Sequence, residues 1–152
     1  MPKYAVVGED TNTASATQPT LYFVNGATTP GALALYEFII GHDAAPADNA
    51  YQYQIANVTN ENATPGGGAV TPLNLVRNGR TSLSNAVEAS TADATVTLAF
   101  LEIGLNMRAT FRWIASPGSE MICDDAEDNG WGIMCIQAAT AVVGNYTLLF
   151  EE

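Results

Sequence analysis

Apolar and polar residues alternate in short runs along this chain, and clusters of turn-forming residues separate the runs. The clearest run is Tyr51-Gln52-Tyr53-Gln54-Ile55, whose apolar side chains share one face while both glutamines take the other. That period of two predicts a half-buried strand. Similar patterns predict strands over 4–7, 33–40, 70–76, 96–103, 109–115, 120–123, 131–136 and 146–150, about eight or nine in all. Tyr36, Phe38 and Ile40 alternate with Leu35, Glu37 and Ile39, and Phe111 and Trp113 with Arg112 and Ile114, as in sheets packed on a shared interior. Asp43 to Asn49 and Ala63 to Gly68 read as loops. Residues 79–94 read as a long irregular crossover with room for one helical turn near Leu83 and Val87, and long crossovers suit Greek-key connections. The expected fold is all-β: a single jelly-roll β-sandwich of about eight strands over 33–152, preceded over 1–32 by an extended N-terminal arm or first strand packed on the domain or on a neighbour.

Composition supports a single core. Close to half of the 152 residues, 47%, are apolar, which suits one domain. The 24 alanines favour helix, but 16 Thr, 13 Gly, 12 Asn and 7 Pro interrupt every helical pattern within about three turns. Sixteen acids against five bases give a net charge of −11, and Lys3, Arg77, Arg80, Arg108 and Arg112 form no sequence patch, so nucleic acid is not an expected partner. With no apolar run of membrane-spanning length and no leader pattern at Met-Pro-Lys-Tyr-Ala, the chain reads as a soluble product of the cytosol with no membrane partner.

Candidate chemistry is sparse. His42 is the single histidine, and without a Gly-x-Ser-x-Gly elbow it completes no triad and supplies too few ligands for a cupin-type metal centre. Asp125, Glu127, Asn129 and Gly130 imitate the opening of a calcium loop, but Ile136 stands where the bidentate glutamate belongs. The run reads as a solvated hairpin turn. If Asn129-Gly130 is a two-residue turn, Cys123 faces Ile136 and Cys135 faces Asp124, so the sulfurs point to opposite faces and stay as two core thiols. Asn57, Asn62 and Asn145 head Asn-x-Thr triplets that match glycosylation sites only by chance in a chain this rich in Asn and Thr. Gly66-Gly67-Gly68 lacks the Lys-Ser/Thr of a phosphate loop. Trp113, Trp131, Tyr51 and Tyr53 invite a sugar-stacking reading, although their alternation favours the core, with Trp131 left open as a ligand or partner contact. No catalytic residue, cofactor or metal is expected.

Glu37-Phe38-Ile39-Ile40-Gly41 with Ala45-Pro46-Ala47-Asp48-Asn49-Ala50, then Asn106-Met107-Arg108-Ala109-Thr110-Phe111-Arg112-Trp113, Ala115-Ser116-Pro117-Gly118, Asn129-Gly130-Trp131-Gly132-Ile133 and Phe150-Glu151-Glu152 follow one another in an informative order. In that order, over roughly 33–152, the chain resembles the small jelly-roll virion proteins of tailed phages and prophages. The first 30 residues, the two cysteines and the acidic run between them depart from the pattern. The resemblance implies a non-catalytic capsid decoration, or cement, protein. Such a protein is made in the host cytoplasm, sits on the capsid exterior, binds the major capsid protein and forms a homotrimer. The alternative is a carbohydrate-binding jelly-roll module of a tail fibre or baseplate. An apolar, Thr-rich arm outside the alternating pattern suits contact with the capsid or a neighbouring subunit, which makes Lys3, Tyr4, Leu21, Tyr22 and Phe23 candidate contact residues alongside Trp131. The same arm equally suits an ordinary first strand. Arg108 and Arg112 are candidates either for carboxylate pairing within the subunit or for contact with the shell.

Overall fold

The computed structural model describes residues 1–26, 31–43, 48–59 and 67–152, and every regular element among them is a β-strand. In chain order these are β1 (Lys3–Thr11), β2 (Leu21–Val24), β3 (Ala34–His42), β4 (Ala50–Thr59), β5 (Gly68–Val70) and β6 (Leu73–Asn74). There follow β7 (Asn85–Glu88), β8 (Thr95–Asn106), β9 (Phe111–Ile114), β10 (Met121–Ile122), β11 (Asn129–Ala138) and β12 (Val143–Glu151). They build two antiparallel sheets. Sheet A runs β10-β3-β12-β1-β6, with β9 also on the β3 edge, and sheet B runs β5-β7-β2-β11-β4-β8. The pairing is nested: β1 pairs with β12, β2 with β11, β3 with β9 and β10, and β4 with β8. From β1 to β4 the chain changes sheet at every step.

Alternation in the sequence becomes alternation of burial. In β1 the side chains of Tyr4 and Val6 are buried while Lys3, Val7 and Glu9 are exposed, and β12 buries Tyr146, Leu148 and Phe150. Facing them from sheet B are Leu21, Phe23, Tyr53, Ile55, Trp131 and Ile133, and together the two sets form one β-sandwich core. Phe150 joins the sheets directly, its ring stacked 4.1 Å from that of Phe23 and 5.5 Å from that of Tyr4. Apolar area removed from water at this contact is the main stabilising term, on the order of 2–3 kcal/mol for each large side chain.

β2 and β11 break the alternation, with all four residues of β2 buried and an unbroken buried stretch from Gly130 to Cys135. Their outer faces are covered too. Residues 12–20 and 89–94 cross over sheet B, held by backbone bonds from Thr20 N to Ile133 O (2.8 Å), Ala89 N to Thr20 O (2.9 Å) and Ala94 N to Thr17 O (2.8 Å). Beneath them Tyr22, Val24, Ala56, Val58, Val87, Ala94 and Met134 form a second apolar cluster. Gly130 is required where β11 passes closest to β2, since a Cβ there would fall 1.9 Å from the Phe23 carbonyl oxygen.

Several expectations need correction. Twelve strands among the described residues replace eight or nine, because β2 and β7 were not expected and the strand expected over 70–76 is divided. The strand expected over 70–76 is two strands in different sheets, β5 against β7 and β6 against β1, separated at Thr71-Pro72, where proline has no N–H for a ladder. The crossover over 79–94 contains a strand, β7, and no helical turn. Asn129-Gly130 is not a hairpin turn: β10 lies in sheet A, and Asn129 and Gly130 open β11 in sheet B, paired with Thr59 and Val58. The positive φ that an Asn-Gly turn needs falls instead on Asp128, at 61°, and the side chain of Asn25 braces the preceding loop by donating to the carbonyls of Asp124 and Ala126. Both cysteines are buried and unbridged, as expected, although not for the register given. The segments 44–47 and 63–66, with Ala45-Pro46-Ala47 of the resemblance, and the Asn62 triplet lie outside the described residues.

The Phe150 contact has a measurable weight. Phe150→Ala is expected to lower the unfolding free energy by about 3–5 kcal/mol in urea titrations. A loss below about 1 kcal/mol would show that the two sheets are not held together at this point.

Candidate functional site

The residues expected to form a contact arm are core residues. Tyr4, Leu21, Tyr22, Phe23 and Trp131 are all buried at 0–1% exposure, so their side chains offer no surface to a capsid or a neighbouring subunit. The physical reason lies in the pairing. Tyr4 sits on the inner face of β1 opposite Phe150, while β2 is sandwiched between β7 and β11 with both faces covered. An uninterrupted apolar run, Leu21-Tyr22-Phe23-Val24, fits a strand buried on both faces. Lys3 alone stays at the surface, its Nζ 3.0 Å from Glu151 and 4.8 Å from the centre of the Tyr36 ring.

The aromatic side chains weighed as a sugar platform do not share an exposed surface. Tyr51, Tyr53 and Trp131 are buried, and half-buried Trp113 stacks on Phe38 at 5.4 Å. Arg108 and Arg112 are engaged within the subunit, with Nε 2.8 Å from Asp48 and 2.6 Å from Glu37. Asp124, in the acidic run, accepts hydrogen bonds from the Ala126 amide and the Asn129 side chain. Among the described residues, no three His, Cys, Asp or Glu side chains are grouped to hold a metal ion.

His42 belongs to a polar chain at one end of the sandwich. Tyr146 donates to the carbonyl oxygen of the Asn12 side chain, and Asn12 Nδ2 donates to Tyr53 Oη at 3.0 Å. Tyr53 Oη lies 2.7 Å from His42 Nε2. Burial lowers the proton affinity of the imidazole, partly offset by the Met107 backbone, so a neutral His42 accepts from Tyr53 at Nε2. Desolvation also raises both tyrosine pKa values, which keeps the phenols protonated. This arrangement fits a structural role. Gly144 makes room for it, because a Cβ there would meet the Tyr146 hydroxyl at 2.2 Å.

One cleft of about 330 Å³ lies where the edges of the two sheets meet, lined by Glu9, Asp10 and Thr11 of β1, Gly68 of β5, Glu88 and Ala89, and Val143 of β12. Glu88 links the sheets by accepting a bond from the Glu9 amide at 2.8 Å. Burial raises the Asp10 pKa to about 6, with the Glu88 carboxylate adding to the effect and the Thr11 backbone bond opposing it. Two carboxylates of like charge in one cleft favour a proton or a cation over an anion. Sequence reasoning passed over Asp10 and Glu88, since 78 positions separate them and neither stands in a motif. No protein-family model, curated protein or solved structure matches the chain.

The cleft predicts a pH dependence. A carboxyl whose pKa is higher in the folded state than its ordinary 3.8 stabilises the fold at low pH, and that contribution is lost as pH rises through about 6. Asp10→Asn is therefore expected to be more stable than the parent at pH 7 by about 1–2 kcal/mol, after allowance for solvent screening, and equal to it below about pH 4. Unfolding curves across that range test this, and a variant that is less stable at pH 7 contradicts it.

Proposed function

We propose that this chain is a non-catalytic structural protein of a phage virion, a decoration protein that binds the outer surface of the capsid and stabilises it by bridging capsomers. The observation that carries the reading is the strand order. Four strands of sheet A, β9-β3-β12-β1, oppose four of sheet B, β8-β4-β11-β2, with the chain alternating between them, and this order supports a jelly roll with β5, β6 and β7 added along one edge. That is the fold which the sequence resemblance implies. The resembling segments support it further, because 37–41, 111–113 and 150–151 fall on β3, β9 and β12 of sheet A and 129–133 on β11 of sheet B.

In this reading the partners are the major capsid protein and further copies of the chain, clustered at three-fold positions on the capsid exterior after synthesis in the host cytoplasm. Repetition of one patch over a symmetric shell turns weak contacts into strong overall attachment. A charge of −11 leaves the protein soluble before assembly and disfavours nucleic acid as a partner.

The test is to mix the purified chain with phage particles stripped of it, pellet the capsids and locate added density by electron microscopy. Density in three-fold clusters between capsomers is expected. Bare shells, or density confined to the tail, would overturn the reading in favour of the tail-fibre or baseplate module.

A further inference from the structure

Three Asn-Gly pairs stand in this chain, at 25–26, 78–79 and 129–130. The pair is chemically labile, because a glycine has no Cβ to shield its amide nitrogen from the side-chain carbonyl carbon of the asparagine before it. Whether a given pair reacts depends on how freely that carboxamide and that amide can meet. The fold divides the three. Asn25 is 2% exposed, its Nδ2 donates to the carbonyls of Asp124 and Ala126, both at 3.2 Å, and its Oδ1 accepts from the Gly31 amide at 3.3 Å. Asn129 donates to Asp124 and accepts from Asn57 Nδ2 at 2.8 Å, while Gly130 is held in the ladders opposite Val24 and Val58. Turning either carboxamide toward its own backbone breaks several bonds at once. Asn78 is different. It lies exposed in the turn after β6 with φ at 62°, a left-handed conformation that asparagine tolerates, and among the described residues no hydrogen bond holds its carboxamide. The Gly79 amide makes one turn bond at the surface, to the Val76 carbonyl at 2.9 Å, which opens without disturbing either sheet.

We propose that Asn78 is a site of spontaneous deamidation, the one Asn-Gly pair of the three that the folded chain leaves reactive. The Gly79 nitrogen gives its proton to hydroxide and bonds to Asn78 Cγ. The bond from Cγ to Nδ2 then breaks, and ammonia leaves with a proton taken from water, which regenerates hydroxide. Water opens the resulting succinimide ring at either carbonyl, one opening leaving aspartate and the other isoaspartate. Water is the only co-reactant, and nothing is oxidised or reduced. Either product puts a carboxylate beside Arg77 where a neutral amide stood. Isoaspartate also routes the main chain through the Asn78 methylene and so lengthens a loop that Asn74 clamps, accepting from the Val76 amide and donating to the Arg80 carbonyl, each at 2.7 Å. Arg80 in turn holds Glu152 at 2.7 Å, so the change reaches the anchor of β12. The inference concerns the chain's own covalent chemistry and does not rest on the capsid reading.

Ageing of the intact chain in mildly alkaline buffer tests it, followed by digestion with a protease that does not cut at arginine and by mass spectrometry of the peptides. A parallel sample in urea removes the fold and keeps the sequence. In the folded chain Asn78 is expected to gain one mass unit at least about tenfold faster than Asn25 or Asn129, whereas in urea the three rates fall within about threefold of one another. Circular dichroism confirms that the aged sample is folded. Asn78→Asp, which suits the same left-handed backbone, is expected to remove the fast conversion and leave the two slow ones. Equal rates at the three sites in the folded chain overturn the inference. So does an Asn78 that stays intact in the folded chain yet converts in urea, and in both cases the capsid-binding experiment is unaffected.

Discussion

The nested pairing of the beginning of the chain with its end is the constraint on which everything else in this structure depends. β1 needs β12 for its ladder, from Lys3 opposite Glu151 to Thr11 opposite Val143, and β2 needs β11 in the same way. Neither ladder can form locally. Closing such long loops costs conformational entropy before any stacking of Phe23 on Phe150 can offset it, so the sandwich forms as a unit or not at all. The termini are accordingly bound into the fold. Glu152 illustrates this: its carboxylate is held by Arg80 at 2.7 Å, the Ser82 hydroxyl at 2.6 Å and the Leu83 amide, tying the end of β12 to the segment that follows β6.

The same pairing sorts the chemistry of the surface. Because β1 and β12 are central in sheet A, their outward side chains cross the middle of an open face, and there the sequence places Val7, Thr147 and Leu149 beside the Lys3–Glu151 pair, with Glu9 farther along β1. In sheet B the chain closes the equivalent face with its own loops. The excess carboxylates are then left to edges and connections, including the cleft where Asp10 and Glu88 approach each other across the seam between sheets.

Much of the fold was legible from alternation alone. Tyr51 to Ile55 and the outward and inward residues of β3 and β12 behave as their period of two requires, because each of those strands has one wet face and one dry one. Legibility failed where that premise failed. β2 reads as an arm residue by residue, yet sheet A packs on one of its faces and residues 12–20 and 89–94 cover the other, so the candidate contact residues Leu21, Tyr22 and Phe23 proved to be core, as did Tyr4 on the inner face of β1. Asn129-Gly130 reads as a turn, but the long-range ladder to Thr59 and Val58 overrides the local preference. The polar chain of Tyr146, Asn12, Tyr53 and His42 had no sequence signature, since its members come from four separate strands or their ends and meet only through tertiary pairing.

Amide hydrogen exchange, resolved by residue, tests the nested pairing most directly. If the first strands are held as integral parts of both sheets, the amides of 4–10 and 21–24 are protected as strongly as those of 131–135 and 144–150, and all exchange only through global unfolding. Fast exchange across 4–24 while β11 and β12 remain protected would contradict the account, because it would show a detachable arm on a sandwich complete without it.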